Sequence, residues 1–293
     1  MPTSYHYKKA DAFTSGNSLG NPAACLYLDP EQRLSQEVML DIAKQHKGFV
    51  SEVIYCQDQG EGVHLTYYSS ECEVDFCGHG TIACMHSLIK DNPALLSRKE
   101  ITIQTNRKGS LTVYNRIAEQ DAVLITAPAP VYIGTGLESQ VISDRLGIAQ
   151  SLINKNSPID LIDAGLRTLI VPISDLAAEI SIFPDEQTLK AFCIENGIDI
   201  VLIYSLETKA AENIAHTRVF APKFGYLEDP ATGSGNSAFG YYMLKNGLWN
   251  GNDVTIEQGG NDRVFNRIHL SQLDGQVLFG GGATVRIDGT YYV

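Results

Sequence analysis

The sequence predicts an α+β fold of two pseudo-symmetric halves, each a curled, mostly antiparallel and barrel-like sheet around one central helix. Three observations carry this. Many short apolar segments are separated by turn residues, and few stretches have helical spacing. Two glycine-rich turns each open an apolar helix: Phe76-Cys-Gly-His79-Gly-Thr-Ile-Ala83 into Cys84–Lys90, and Thr232-Gly-Ser234-Gly-Asn-Ser into Ala238–Lys245. Laid over one another, Cys77 falls on Thr232, Gly78 on Gly233, His79 on Ser234, Gly80 on Gly235, Ala83 on Ala238 and Lys90 on Lys245, an internal repeat.

The elements are expected in this order. Strands cover Tyr5–Phe13 and Ala23–Leu28 about the turn-rich loop Thr14–Pro22, and a helix covers Ser35–Gln45 with Val38, Ile42 and Ala43 on one face. Glu52 heads an apolar strand, His64–Tyr68 forms the next, and the first glycine-opened helix ends near Asn92-Pro93, since the residue before proline is pushed out of the helical region. Strands follow at 101–105, 110–114 and 122–126, then a stop at Pro128-Ala-Pro130. The second half reads as a helix over 137–146, strands at 159–164 and 168–172, a helix over 185–196, and strands at 200–204 and 214–220. After its glycine-opened helix come strands at 254–258, 267–270, 276–279 and 284–287. The halves are expected as residues 1–130, with the central helix near 78–90, and residues 131–293, with the central helix near 233–245; the extreme C-terminus is a candidate to return to the first half. Each central helix should be apolar on all sides, because a sheet surrounds it.

The chain has 293 residues, room for two domains, and a net charge of −12. That charge argues against nucleic acid or an anionic membrane surface as partner, both of which want a basic patch. No apolar run reaches membrane-spanning length and the N-terminal residues lack a signal-peptide apolar core, so the expected location is cytoplasmic. The six cysteines lie in apolar strands and helices and are expected as small buried hydrophobes. Cys72, Cys77, His79, Cys84 and His86 are dense but contain no C-x-x-C pair, so no metal is expected. The chain has neither the lysine of a nucleotide-hydrolase phosphate loop nor a G-x-S-x-G elbow, and Gly16–Gly20 lacks the strand–turn–helix setting of a dinucleotide site. No cofactor is signalled.

What remains is polar side chains at the glycine turns. A helix opened by glycines leaves backbone N–H groups unpaired, and those donors favour an anion. Asp229 stands beside one such turn. Taken singly, each residue has a plain structural reading: Glu52 as an exposed strand-end carboxylate, His79 as a helix-start residue bonded to backbone, Asp229 as a turn residue before proline, Ser234 as a helix cap. In the functional reading Glu52 is a carboxylate in an apolar pocket, able to take and return a proton.

Several segments together resemble the PhzF-like isomerases of phenazine biosynthesis. They are Asp11-Ala-Phe-Thr14 with Gly20-Asn-Pro-Ala-Ala24, Ser51-Glu52, Glu73-Val-Asp-Phe-Cys-Gly-His-Gly-Thr81, and Arg218-Val-Phe-Ala-Pro222 through Glu228-Asp-Pro-Ala-Thr-Gly-Ser234. The resemblance implies the diaminopimelate-epimerase-like fold, with both central helices opening onto a cleft, and a homodimer. It implies that Glu52 is the acid/base, that His79, Asp229 and Ser234 hold substrate and assist proton transfer, and that the turn glycines Gly78 and Gly233, with Gly80 and Gly235, present N–H groups to a substrate carboxylate. The chain departs from the family pattern at Gly80, where alanine is usual, and at Val53, where threonine is usual. The implied activity is a cofactor-independent isomerisation that moves a proton between carbons of a small carboxylate. An epimerase of the same fold would use two thiols, but the repeat pairs Cys77 with Thr232, a far weaker acid. A small-acid-binding protein without chemistry is the third reading.

Overall fold

The computed structural model describes residues 3–59, 62–260 and 264–293. In chain order the elements are β1 (Ser4–Ala12), β2 (Asn21–Leu28), α1 (Gln36–Gln45), β3 (Glu52–Asp58), β4 (Val63–Ser69), β5 (Glu73–Val74), α2 (Gly78–Asp91), α3 (Pro93–Leu96), β6 (Glu100–Thr105), β7 (Gly109–Arg116), α4 (Ile117–Gln120) and β8 (Ala122–Thr126). They continue with β9 (Val131–Tyr132), α5 (Ser139–Leu146), β10 (Asp160–Asp163), β11 (Arg167–Pro172), α6 (Leu176–Ile180), α7 (Glu186–Glu195), β12 (Ile200–Ser205), β13 (His216–Phe220) and β14 (Glu228–Asp229). Last come α8 (Gly233–Lys245), β15 (Val254–Gln258), β16 (Asn266–Leu273), β17 (Gln276–Gly281) and β18 (Ala283–Tyr292). The chain packs as two units: Met1–Ser15 with Leu19–Thr126 and Gly280–Val293, and Gly16–Ser18 with Ala127–Phe279.

The two units pair their strands in the same pattern. In the first, β1–β2 is antiparallel, β2–β3 parallel, β3–β4 and β4–β5 antiparallel, β4–β6 parallel and β6–β7 antiparallel. In the second, β10–β11 is antiparallel, β11–β12 parallel, β12–β13 and β13–β14 antiparallel, β13–β15 parallel and β15–β16 antiparallel. The repeat is therefore one of topology, and few side chains need agree to keep it. In the first unit β18 adds to the far side of β1, from Ser4 opposite Tyr292 to Ala12 opposite Ala283.

Each sheet curls about its helix. Helix α2 packs on β1, β2, β3, β8 and β18, and residues Gly80 to Ser87 and Ile89 are all buried, so no face of this helix is left to solvent along that run. The polar ones are satisfied: Thr81 Oγ1 donates to Cys77 O at 2.8 Å, Ser87 Oγ accepts from Lys8 Nζ at 3.0 Å, and His86 Nε2 lies 3.0 Å from Asp121 Oδ1. Helix α8 packs on β10, β11, β12 and β16, with Tyr242 OH donating to Pro158 O at 2.7 Å. Strand β6 alternates exposed and buried residues, as a sheet with one wet face requires, whereas β12 is buried throughout. The reason lies in a second layer: Val201 and Ile203 of β12 join a core with Ile142, Leu146, Leu189 and Phe192 from α5 and α7. On the first unit, α1 closes a similar core over Leu26, Val53, Tyr55 and Tyr68.

Some local expectations change. Asn92-Pro93 ends α2 but also starts α3: Asn92 Oδ1 accepts from Ala94 N and Leu95 N, and proline tolerates the first helical turn. Helix α6 was not expected; Asp175 starts it by accepting from Ala178 N at 2.8 Å. The last strand runs well past Ile287, to Tyr292, because β1 offers a partner along its whole length. Five cysteines are buried, but Cys72 is exposed in the turn between β4 and β5, where its N–H and carbonyl bond to Ser69.

Candidate active site

In the first unit, Glu52 is the first residue of β3, beside Ala23 of β2 and opposite Ser69 of β4. Its Oε2 lies 3.3 Å from His79 Nε2 and 3.8 Å from Cys77 Sγ, which donates to it. Cys77 Sγ is in turn 3.5 Å from His79 Nδ1, and Ser51 Oγ is 3.3 Å from His79 Nε2. Glu52 therefore does not sit among apolar groups alone, as expected from its strand; it faces a thiol and an imidazole. The Glu52 and His79 side chains keep 21% and 15% of their surface, enough for a small molecule to reach them.

Helix α2 sets this geometry. Cys77 is its cap, with extended backbone, and its Sγ accepts the Gly80 N–H at 3.3 Å. That N–H is thus taken, while the Gly78 and His79 N–H groups, in the first turn, have no intrahelical acceptor. Gly80 is needed for packing: a Cβ there would stand 2.6 Å from Ile54 Cδ1 and 2.9 Å from Cys77 Sγ. Alanine at Gly80 would therefore need Ile54 or the Cys77 sulfur to move.

The second unit reproduces the turn with different side chains. Thr232 caps α8 with φ −121 and ψ 103, close to the φ −130 and ψ 107 of Cys77. Its hydroxyl does not cap the helix but donates to Asp229 Oδ2 at 2.5 Å. Ser234, expected as a possible cap, is the second helical residue; its carbonyl accepts from Ser237 Oγ at 2.8 Å. Gly233, Ser234 and Gly235 supply the first-turn N–H groups, which the Thr232 side chain leaves open. Alanine at Gly235 would meet Ile200 Cδ1 at 3.2 Å, a milder crowding than at Gly80.

Residues not singled out from the sequence hold Asp229. Gln258 Oε1 accepts from Thr232 N at 2.9 Å and Asn236 Nδ2 at 2.7 Å, while its Nε2 donates to Asp229 O at 2.9 Å. Next to Asp229, Glu228 takes a two-point bond from the fully buried Arg218, through Nε at 3.0 Å and a terminal nitrogen at 2.9 Å. The other Arg218 nitrogen donates to Glu179 O at 2.8 Å and Ile182 O at 2.6 Å. Arg218 and Glu228 stood within the quoted motif, but their link appears only once β13 and β14 pair. Behind them Glu179 and His216 meet 3.0 Å apart, both fully buried. Burial pushes the Glu179 carboxyl well up and the His216 imidazole down to about 3, so His216 is neutral near pH 7.

The fold is mixed α/β, with a curled sheet about each central helix, and is of the diaminopimelate-epimerase-like class. The family model described as "Phenazine biosynthesis-like protein" (PhzC-PhzF) matches residues 10–289, and the chain belongs to that family. It is 28% identical over 255 residues to the uncharacterized isomerase YfhB of Bacillus subtilis, covering 86% of this chain and 85% of that protein. It is 25% identical to the uncharacterized isomerase YddE of Escherichia coli K12, covering 99% of this chain and 95% of the relative. Among solved structures, a PhzF-family protein of Bacillus anthracis superposes with a TM-score of 0.84 at 22% identity, covering 99% and 100% of the two chains. A hydroxyproline epimerase of Agrobacterium vitis, solved with trans-4-hydroxy-L-proline, superposes with a TM-score of 0.59 at 12% identity, covering 100% and 94%.

Proposed function

We propose that the protein is an isomerase that moves a proton between carbons of a small carboxylate without a cofactor, with Glu52 as the acid and base. The observation that carries this is the cluster at the start of α2, where Glu52 Oε2 stands 3.3 Å from His79 Nε2 with both groups partly open to solvent. A carboxylate so placed can take a proton from a C–H next to an unsaturated system and return it at another carbon. His79 Nε2, 3.3 Å from Glu52 Oε2, orients the carboxylate. The Gly78 and His79 N–H groups, at the positive end of α2, suit the negative charge that develops as the proton leaves. At the matching turn of the second unit, Asp229 is held by Thr232 and Gln258, and the open N–H groups of Gly233 and Ser234 there are of the kind that suits a carboxylate. Membership of the PhzC-PhzF family and the isomerase names of its relatives support isomerase chemistry of this kind.

An epimerase reading keeps one observation in its favour, the Cys77 thiol beside His79 and Glu52. Against it, Thr232 occupies the matching cap, and its hydroxyl donates a hydrogen bond to Asp229 Oδ2. The test is a screen of dienoic and amino-acid-like acids for deuterium uptake from heavy water. Uptake with a shifted double bond supports the isomerase; uptake with only inverted configuration supports the epimerase; saturable binding without uptake contradicts both.

A further inference from the structure

We propose that the first unit carries a second ligand site, at the opposite end of α2 from Glu52, and that it takes a free amino acid with a bulky apolar side chain. The site stands whether or not Glu52 is the acid and base.

A cavity of about 630 Å³ opens there. Its lining belongs to the first unit alone and comes from β1 to β4, β18, the end of α2, and α3 with the Arg98 that follows it. Leu88 lies ten residues along α2 from Gly78, about 15 Å at about 1.5 Å per residue. A helix wrapped by a sheet should be covered all round. Helix α2 is buried at every position from Gly80 to Ile89 except Leu88, and Leu88 lines this cavity. Protein interiors hold few voids larger than a water molecule, whereas a space of this size is that of a small-molecule site. The floor is apolar: Leu28, Cys56 and Val63 are buried there beside Leu88 and Tyr27.

The two signs of charge are divided across the rim. Strands β2 and β3 run parallel with Leu28 beside Gln57. Asp29, the residue after β2, and Asp58, the last of β3, therefore stand side by side. Each is two residues beyond a floor residue, Tyr27 or Cys56, so each falls on the same face of the sheet, and both line the cavity. Neighbouring carboxylates repel, and an ammonium group between them relieves that repulsion. Among the described residues, the Asp29 carboxylate has no partner. The donors come from the helical side. Asn92 Oδ1 caps α3, which leaves its Nδ2 to the cavity, and the Arg98 guanidinium has no acceptor among the described residues. His6, the remaining basic group of the lining, is bonded to Asp288 at 2.7 Å. A guanidinium beside an amide donor suits a carboxylate. A carboxylate alone would also meet two aspartates, and an amine alone would leave Arg98 unmatched. A zwitterion satisfies both sides, and a bulky side chain covers the floor that a small one would leave wet.

The experiment titrates the full chain by calorimetry with L-phenylalanine, L-leucine and glycine. Phenethylamine and hydrocinnamate serve as probes that lack the carboxylate or the ammonium group. The expected result is saturable binding of one apolar amino acid per chain, with glycine and both single-charge probes weaker by at least about tenfold. Arg98→Met and Asp29→Asn, at exposed positions where folding is not at stake, should each weaken binding by at least about tenfold. Leu88→Trp should fill the floor and abolish binding, with thermal unfolding as the check that the chain stays folded. No saturable binding of either apolar amino acid at millimolar concentration overturns the proposal. Binding unmoved by both rim variants also overturns it, since the ligand then sits elsewhere, the cluster at Glu52 included. Phenethylamine or hydrocinnamate bound as tightly as phenylalanine overturns the amino-acid assignment.

Discussion

Gly80→Ala probes the packing that sets the Cys77 thiol in place. The added Cβ would stand 2.6 Å from Ile54 Cδ1, 2.9 Å from Ile54 Cγ1 and 2.9 Å from Cys77 Sγ. Ile54 is fully buried, and the Cys77 sulfur cannot retreat without loosening its bond to the Gly80 N–H. Overpacking of this kind costs about 1–3 kcal/mol. Alanine recovers at most about 1 kcal/mol of helix propensity over glycine. With that gain taken in full, the net expectation is a loss of about 0–2 kcal/mol from those two terms. Ile54→Val removes the Cδ1 atom and costs about 0.5–1.5 kcal/mol by itself. Combined with Gly80→Ala, it should cost less than the two singles together, by about 0.5 kcal/mol or more. Urea unfolding of the parent, the two singles and the double gives the cycle. A Gly80→Ala chain clearly more stable than the parent, or strictly additive losses, would refute the packing argument.

Further outcomes follow from the same structure. Cys77→Ser should keep most of the isomerase activity; a loss beyond about a thousandfold, the scale of a missing catalytic group, would return the epimerase reading to the front. Arg218→Met should destabilise the second unit by about 3–5 kcal/mol, since it strands Glu228 and the carbonyls of Glu179 and Ile182, and chemical denaturation measures this. His216 has a folded-state pKa of about 3, below its ordinary 6.5, because it is buried near Arg218. The unfolded chain therefore binds a proton there that the folded chain refuses, so this contribution is complete above pH 6.5 and is lost as pH falls toward 3. His216→Gln should flatten the dependence of stability on pH in that window by up to one proton, read from denaturation midpoints across the range.

The repeat was visible because glycine turns and apolar helices are local patterns: Gly78 and Gly233 open α2 and α8 where the spacing placed them. The strands were legible for the same reason, as short apolar runs between turn residues. What did not show was pairing at long range. The extreme C-terminus was a candidate to return to the first half, but nothing near Ser4 sets the register that puts Tyr292 beside it, and nothing in Thr284–Ile287 says that this strand continues to Tyr292. Short helices such as α3 and α6 hung on single capping bonds by Asn92 and Asp175, which compete with turn readings of the same residues. At the candidate site, the motif named Glu52 and His79, and the fold brings them to 3.3 Å. Gln258 and Asn236 were invisible because their roles exist only where β15 and α8 meet the Asp229 turn. The steric demand at Gly80 was equally hidden, since it depends on where Ile54 of β3 points.

Glu52→Gln tests the central claim most directly. Glutamine keeps the size of the side chain and much of its hydrogen bonding beside Cys77 and His79 but cannot exchange a proton. With the acid that the heavy-water screen identifies, ligand binding by calorimetry should stay near that of the parent. Deuterium incorporation should fall by about two to four powers of ten, the contribution of a general acid and base. Incorporation at the parent rate, with binding intact, would show that Glu52 is not the base and that the proton passes through His79, Cys77 or Asp229 instead.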